Sequence, residues 1–439
     1  MASKHQAPRG TRDLLPEELP RWQWAEQVTR EVMARYCYRE IRTPMFEDYE
    51  LFARTSGESS DVVQKEMYRF HDLKGRDLAL RPEGTASVAR AYLEHAMSGA
   101  ARVHRLWYLG PMFRYGRPQK GRYRQFHQVG AEIIGSAHPT ADVEMIALFV
   151  DLFEAWGFGD LTVAVNSLGT PETRRAYAEA LRAWLEPVKD RLSPDSQQRL
   201  ETNPLRILDS KDPDEIALLS GAWGTNAPPA PRPRMLDVLD ADSRAHWEQV
   251  LAGLDALGIR HETDHGLVRG LDYYTRTTFE VHDRSLGAAQ SALGGGGRYD
   301  GLIESLGGPS TPGVGFSIGL DRVILVLEQR AAATAATGAQ VYVVSMEATR
   351  AAALALVRAL RREFAVDFDL ESRGFGAQMK AAGKSGAKAM VLVGEDEWKR
   401  GEVAVKDLVA GTQETVPRAR LETALRALLG GAMTETEAT

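Results

Sequence analysis

Between His95 and Ala131 the chain carries no acidic residue, yet Arg102, Arg105, Arg114, Arg117, Lys120, Arg122 and Arg124 all fall inside that interval. Such a run is expected to meet something anionic, because the planar fork of arginine can donate two hydrogen bonds to phosphate or carboxylate oxygens. Three further patches carry chemistry-bearing residues: RPEGT (Arg81 to Thr85), LVRGLDYY (Leu267 to Tyr274) and GLDR (Gly319 to Arg322). Glu83 could hold an ammonium, although a Pro-Glu-Gly turn is equally a surface loop. Taken singly, an arginine in a strand is usually a solvated or ion-paired surface group. Gly294 to Gly297 place no side chain over four positions, which suits close approach of backbone to a ligand and also an ordinary loop.

The elements that must position these residues follow from apolar periodicity and turn chemistry. LWYLGPMFR is aromatic and apolar, GRPQKG is punctuated by Gly and Pro, and RYRQFHQVGAEIIG resumes strand character, so two antiparallel strands joined by a basic loop are predicted. In a regular second strand Arg122, Arg124, Phe126, Gln128, Gly130 and Glu132 share one face. Upstream, a helix is predicted from Pro20, with Trp22, Ala25, Val28, Val32 and Tyr36 on its apolar side, ending before the turn at Thr43 and Pro44. Thr170 and Pro171 read as the cap and first residue of another helix. From there to Arg260 the texture is helical and polar, interrupted by NAPPAPRPRM, and reads as an inserted domain.

Strand character returns in LVRGLDYYTRTTFEVH, which sends Tyr273 and Tyr274 to opposite faces, and GVGFSIGLDRVILVLEQR reads as a strand running into a helix. Past a linker, AAATAATGAQ, the runs VYVVSM, VDFDLE and AMVLVG alternate with RAAALALVRALRREF, the pattern of a small α/β domain. The acidic end TETEAT reads as a tail.

Bulk properties bound the function. The 439 residues are 44% apolar and 26% charged, too long for a single core. A net charge of -6 and pI near 6.0 give no global sign of nucleic-acid binding, so such contact must rest on local basic surface. Cys37 is the only cysteine, which excludes an intramolecular disulfide and a Cys-based zinc site. The polar N-terminus lacks the apolar core of a signal peptide, and no stretch is long and apolar enough to span a bilayer, so a cytoplasmic protein is expected. The ten histidines show no metal-ligand spacing. Gly383-Lys384-Ser385 imitates the end of a phosphate-binding loop, but Gln378 stands where its first glycine belongs.

In order and spacing, SGESSDVVQKEMYRF, RPEGT, PMFRYGRPQKGRYRQFHQVGAE, LVRGLDYY and GLDR resemble the class II aminoacyl-tRNA synthetases, and the histidyl-tRNA synthetase family in particular. The resemblance covers most of the chain outside the insertion. It implies an α+β catalytic core, a mostly antiparallel sheet flanked by helices, with a helical insertion and a C-terminal α/β anticodon-binding domain. The implied divisions are 1–170 and 261–330 for the core, 171–260 for the insertion, 331–340 for the linker, 341–430 for the anticodon-binding domain and 431–439 for the tail. It implies ATP as substrate with Mg2+, L-histidine and tRNA(His) as partners, no membrane, and a homodimer built on the first helix and the strand containing Pro44. That helix face could equally pack inside one chain.

The implied reaction is attack of a histidine carboxylate on the α-phosphorus of ATP, followed by transfer of histidine to the 3' end of tRNA. The nucleophile is already ionised, so the site needs alignment and cations rather than a general base. By resemblance Arg114 grips the α-phosphate and touches the amino acid, Arg322 holds the γ-phosphate, Phe126 stacks on adenine and Arg122 adds a further ATP contact. Glu83, Gly84, Thr85 and Gln128 hold the α-amino end, while Glu132, Tyr273 and Tyr274 recognise the imidazole. Arg269 reaches the reacting carboxylate and the α-phosphate; its alternative is an ion pair with Asp272. Gln119, Lys120 and Arg122 are placed to meet the acceptor end of tRNA. No residue can be named as a magnesium ligand. The rival readings are a non-catalytic, histidine-sensing regulatory subunit of ATP phosphoribosyltransferase and a class II synthetase for another amino acid.

Overall fold

The computed structural model describes residues 5–57, 60, 62–116, 121–210, 212–223, 231–268, 273–286, 292–330, 338–371 and 373–430. The chain divides into two compact units, 1–333 and 334–439. In chain order the first unit contains strands β1 (Arg39–Glu40), β2 (Phe46–Asp48), β3 (Arg69–His71), β4 (Asp77–Leu80), β5 (His104–Phe113), β6 (Gln125–Ile134), β7 (Leu161–Ser167), β8 (His261–Thr263), β9 (Thr275–Asp283), β10 (Ala292–Arg298) and β11 (Gly313–Gly319). Its helices are α1 (Leu19–Arg35), α2 (Tyr49–Ser56), α3 (Thr85–Glu94), α4 (Pro139–Ala155), α5 (Pro171–Leu185), α6 (Pro194–Thr202), α7 (Pro213–Leu219), α8 (Ala241–Ala256), α9 (Leu302–Ser305) and α10 (Leu320–Gln329).

Eight of these strands form one sheet in the order β1-β5-β6-β11-β10-β9-β7-β8, and β2-β4-β3 form a small second sheet. Only the outermost pairs of the large sheet, β1 with β5 and β7 with β8, run parallel. The basic hairpin is β5 and β6, paired antiparallel from His104 opposite Ile134 to Phe113 opposite Gln125.

One face of the sheet is sealed by α4, which is apolar nearly all round. Phe149 on α4 meets Phe153 on the same helix, Phe279 on β9 and Phe316 on β11, with ring centroids 4.5 to 5.6 Å apart. Such tilted and edge-to-face contacts add directional preference to the burial itself. Helix α1 lies on α4, and the Trp156 indole N–H donates to the Ala25 carbonyl at 3.0 Å. The buried residues of α1 are Trp22, Ala25, Thr29, Val32 and Met33, so this apolar face packs inside the chain. Val28 packs half-buried against the same core, and Thr29 is buried beside it, its hydroxyl satisfied by the Ala25 carbonyl at 2.7 Å.

The glycine run is a strand rather than a loop. β10 pairs on both sides, with β9 and with β11. A methyl at Gly296 would sit 2.1 Å from the Gly315 carbonyl and one at Gly297 2.6 Å from that of Thr277, so the neighbouring backbones occupy the space a side chain would need. Helices α5 to α8 and short 3-10 turns fill the described part of 171–260. As the sequence predicts, Thr170 caps α5, accepting from the Thr173 N–H, with Pro171 at the first position.

The second unit contains β12 (Val341–Ser345), β13 (Val366–Phe368), β14 (Ala389–Val393), β15 (Glu402–Asp407) and β16 (Gln413–Pro417), with α11 (Arg350–Leu360), α12 (Phe375–Lys384), α13 (Glu395–Lys399) and α14 (Leu421–Leu429). Its sheet order is β13-β12-β14-β15-β16. The three apolar runs are the parallel strands, while β15 and β16 form an antiparallel hairpin that the sequence reading did not anticipate. Lys384 ends α12 instead of opening a helix, and Gln378 is buried, bridging the Ser345 N–H and carbonyl. Gly383-Lys384-Ser385 therefore forms no phosphate loop.

Candidate active site

A cavity of about 300 Å³ opens on the face of the large sheet away from α4, where β6, β9, β10 and β11 meet the start of α10. Glu83, Arg114, Gln128, Tyr273, Tyr274 and Arg322, all named from the sequence, line it together. Glu280, Leu293, Gly294, Gly295 and Ser317 complete much of the wall, and none of these had been assigned an individual role. Glu280 lies on β9 in a segment read only as a strand; its position three strands from β6 is a tertiary fact.

The RPEGT segment is fixed by its own first residue. Arg81 is 6% exposed and donates to the Pro111 carbonyl (2.9 Å), the Thr43 carbonyl (2.9 Å) and the Thr43 hydroxyl (3.0 Å). It thereby splices the turn after β1, the end of β5 and the entry to α3. Glu83 next caps α3, with one oxygen accepting from the Thr85 N–H at 2.6 Å and the other from Ala86 at 2.9 Å. Burial raises its carboxyl above the usual range, against these two N–H groups and the Arg114 charge, which lower it. Gly84 leaves room for Tyr108, whose ring crosses 2.3 Å from where a methyl would stand; Gly130, paired opposite Tyr108, does the same at 2.2 Å.

Arg114 follows β5, its Nε donating to the Pro82 carbonyl at 2.8 Å and its guanidinium 5.6 Å from the Phe126 ring. Burial lowers its pKa, opposed by Glu66 and Glu83, and an arginine remains charged under any such shift. Arg322 sits in the first turn of α10. Burial lowers its pKa too, while Glu280 favours its charge. Gln128 is 6% exposed, and its side-chain carbonyl has no hydrogen-bond partner among the described residues. A buried acceptor without a partner costs free energy, so a donor is expected there on binding.

Glu132, which by resemblance recognises the imidazole, sits on β6 opposite Gly315 of β11. It is fully buried and is not among the cavity-lining residues. Thr85 donates to one oxygen at 2.7 Å and Tyr299 to the other at 2.6 Å, with the Tyr108 hydroxyl at 3.5 Å. Burial pushes its pKa up to about 8, although the Tyr299 and Thr85 hydroxyls work in the opposite direction.

The tyrosine pair departs from its predicted geometry. β9 starts at Thr275, so Tyr273 and Tyr274 precede the strand and do not alternate across it. Their rings lie 4.7 Å apart, and both line the cavity. Arg174 of α5 holds this segment through a 2.9 Å hydrogen bond to the Tyr274 carbonyl.

The hairpin's shared face is interrupted, since β6 begins at Gln125. Phe126, Gln128, Gly130 and Glu132 keep the alternation, whereas Arg122 pairs with Glu66 at 3.2 Å on a 57% exposed side chain. Arg124 stacks on Tyr115 at 3.7 Å. Arg269, Asp272, Gln119 and Lys120 lie outside the described residues.

An antiparallel sheet that presents a carboxylate-capped helix, a hairpin arginine and a helix-borne arginine to one cavity is the catalytic architecture of class II aminoacyl-tRNA synthetases. A profile described as histidyl-tRNA synthetase matches residues 10–323, and one described as anticodon binding domain matches residues 340–428. The chain is 50% identical to a histidine–tRNA ligase of Thermosynechococcus vestitus over 418 residues, 95% of each chain. It is also 50% identical to that of a Synechococcus species, over 95% of this chain and 97% of the relative. The crystal structure of apo histidyl-tRNA synthetase from Staphylococcus aureus superposes with a TM-score of 0.79 at 38% identity, covering 96% of this chain and 100% of the other. The chain belongs to the histidyl-tRNA synthetase family.

Proposed function

We propose that the protein is a histidine–tRNA ligase, on the observation that Glu83, Gln128, Arg114 and Arg322 converge on one cavity in a chain half identical to such ligases. ATP and L-histidine are its first substrates. A histidine carboxylate oxygen forms a bond to the α-phosphorus of ATP as the bond from that phosphorus to the bridging oxygen breaks, releasing pyrophosphate. A hydroxyl at the 3' end of tRNA(His) then attacks the carbonyl carbon of the adenylate, and AMP leaves.

Arg114 holds the α-phosphate and Arg322 the γ-phosphate. Both are supplied by rigid elements, which lets them meet developing charge without reorganising. Phe126, in contact with Arg114, is the platform for adenine. The Gln128 oxygen, without a partner among the described residues, accepts from the substrate ammonium, with Glu83 supplying the opposite charge and Thr85 its neighbour on α3. Glu132, Tyr273 and Tyr274 select the imidazole: a buried acid whose partners among the described residues are hydroxyls gains most from a ring N–H. Arg269 takes the reacting carboxylate and α-phosphate.

Magnesium would neutralise phosphate charge. Among the described residues no group of three or more His, Cys, Asp or Glu side chains converges into a closed metal cage. Glu280 in the cavity wall suits a magnesium ion carried mainly by ATP phosphates. Arg122 with Gln119 and Lys120 meets the acceptor end of tRNA, and the second unit reads the anticodon. Homodimerisation is supported by Met45 (51% exposed), Phe46 (54%) and Phe70 (39%), apolar side chains open on or beside the two outer strands of the small sheet. No helix among the described residues is long and apolar enough to cross a membrane, in keeping with a cytoplasmic ligase.

ATP–pyrophosphate exchange measured with each amino acid tests this reading. Histidine-dependent exchange is expected; dependence on another amino acid overturns the specificity, and no exchange by a folded protein favours the regulatory-subunit reading.

A further inference from the structure

Arg276, the second residue of β9, has a φ of +47°, a left-handed setting that a residue with a side chain keeps only where its surroundings enforce it. Both of its backbone groups are pinned to the exit of β7. Its N–H donates to the Gly169 carbonyl at 2.8 Å, and its carbonyl accepts from the Leu168 N–H at 2.6 Å. Its guanidinium is set by a buried relay. Arg298 and Asp142, both wholly buried, form an ion pair, and the same carboxylate lies 3.3 Å from Nε2 of His246 on α8, itself 5% exposed. Burial acts to raise the Asp142 pKa, but the Arg298 charge and the hydrogen bonds from His246 and Arg298 overcome it and bring it down to about 2. With Nε2–H turned to that carboxylate, His246 offers Nδ1 as an acceptor, and Arg276 meets it at 3.5 Å.

Arg276 and His246 line a cavity of about 620 Å³ whose other walls are the turn before β5, the turn from β6 into α4 and the first half of α8. It shares no lining residue with the candidate active site. Arg102 brings a second guanidinium, from a backbone pressed so closely on Gly135 that a methyl there would fall 2.0 Å from the Arg102 carbonyl. Asp242, exposed in the first turn of α8, is the one carboxylate among the lining residues. A buried ion pair and a left-handed arginine both cost free energy, and neither adds apolar burial. What they achieve is to present the remaining N–H groups of Arg276 to an open cavity in a fixed orientation. We propose that this cavity binds a phosphate group, free or as a small phosphate ester, gripped between the guanidinium forks of Arg276 and Arg102. Planar forks of this kind donate pairs of hydrogen bonds to phosphate oxygens. The volume leaves room for the organic part of an ester. The site stands independently of the ligase reading, since none of its residues takes part in that chemistry.

The test is calorimetric titration of the full-length chain at low ionic strength with inorganic phosphate and, separately, with ribose 5-phosphate. Saturable binding is expected, and Arg102→Ala and Arg276→Asn should each weaken it about tenfold or more, as the loss of charge-assisted hydrogen bonds requires. Asparagine tolerates the left-handed backbone, so the start of β9 is kept. Arg102 is exposed, and its variant carries the test alone if Arg276→Asn does not fold. A double variant, Arg114→Ala with Arg322→Ala, removes the phosphate-binding arginines of the candidate active site and should retain this binding. Equal affinity for the two probes identifies free phosphate as the ligand, and tighter binding of the ester identifies a phosphorylated metabolite. Three results would each overturn the proposal: neither probe binds saturably to the wild type, binding stays within twofold of wild type in a folded Arg102→Ala or Arg276→Asn protein, or all binding disappears in the double variant, which would put the anion in the active site.

Discussion

Asp321 accepts a hydrogen bond from the backbone N–H of His127 at 2.7 Å, tying the first turn of α10 to the start of β6. The tie places Arg322, the next residue, in fixed relation to Phe126 and Gln128, which flank His127. Two separate stretches of chain, nearly two hundred residues apart, thus share one reference frame. The side chains proposed for adenine stacking and γ-phosphate binding are set by the same hydrogen bond.

Asp321→Ala is therefore expected to raise the KM for ATP about tenfold, the size of one buried N–H left unpaired, while the KM for histidine stays close to wild type. Asp321→Asn keeps an oxygen for the His127 N–H and should restore most of the loss. Equal damage from the two substitutions in steady-state exchange assays would remove Asp321 from the positioning role.

The two arginines in the cavity should behave more severely. Arg114→Ala and Arg322→Ala are each expected to lower the adenylation rate by on the order of 10³ or more, by comparison with arginines that stabilise phosphoryl transfer. Single-turnover adenylate formation is the measurement, and a loss below tenfold for either would contradict its assignment to phosphate.

Arg269→Ala separates binding from chemistry. Histidine binding by titration should remain largely intact while adenylate formation falls steeply, since the residue is proposed to act on the reacting carboxylate and α-phosphate. Near wild-type adenylation would end that proposal.

Gly84→Ala should act through Tyr108. The added methyl meets the tyrosine ring at 2.3 Å, so the ring must move, and it closes over Gly130 and the Thr85–Glu132 hydrogen bond. Overpacking of this kind costs about 1–3 kcal/mol. A lowered melting temperature together with a raised KM for histidine is expected, and a variant with both unchanged would show that the ring is free to move aside.

Glu132 also predicts a pH dependence. Its folded pKa, about 8, lies above the ordinary carboxylate value, so the acid is stabilising while protonated: the contribution is complete below the unfolded pKa and is lost as pH rises toward 8. Thermal stability of the ligand-free protein should fall between pH 5 and about 8 more steeply in the wild type than in Glu132→Gln, which cannot ionise. Parallel melting curves for the two proteins across that range would show that Glu132 is not the titrating group.

Much of the site was legible before the structure because its parts are local. Apolar alternation and a Gly/Pro-marked basic loop define the β5–β6 hairpin, and a run such as RPEGT is recognisable within five residues. Features depending on where an element begins were less so. Tyr273 and Tyr274 alternate only if the strand includes them, and its start at Thr275 brings the two rings together instead. β15 and β16 carry enough charged and polar side chains to hide their pairing. Tyr108, Tyr299 and Glu280 acquire meaning only through residues distant in sequence. Four glycines in a row look like a hinge until both neighbouring strands are known to press against them.

That strand has a further consequence for selectivity. Gly294 and Gly295 give the cavity a wall made of peptide planes, braced from behind by Phe149, which a methyl on Gly294 would approach to 3.2 Å. A wall of side chains can yield to a bulkier guest by changing rotamers; one of hydrogen-bonded backbone can yield only by breaking a sheet. Compounds that crowd this surface meet a rigid boundary, so ring substituents pointing toward β10 should be refused by shape alone, whatever their polarity.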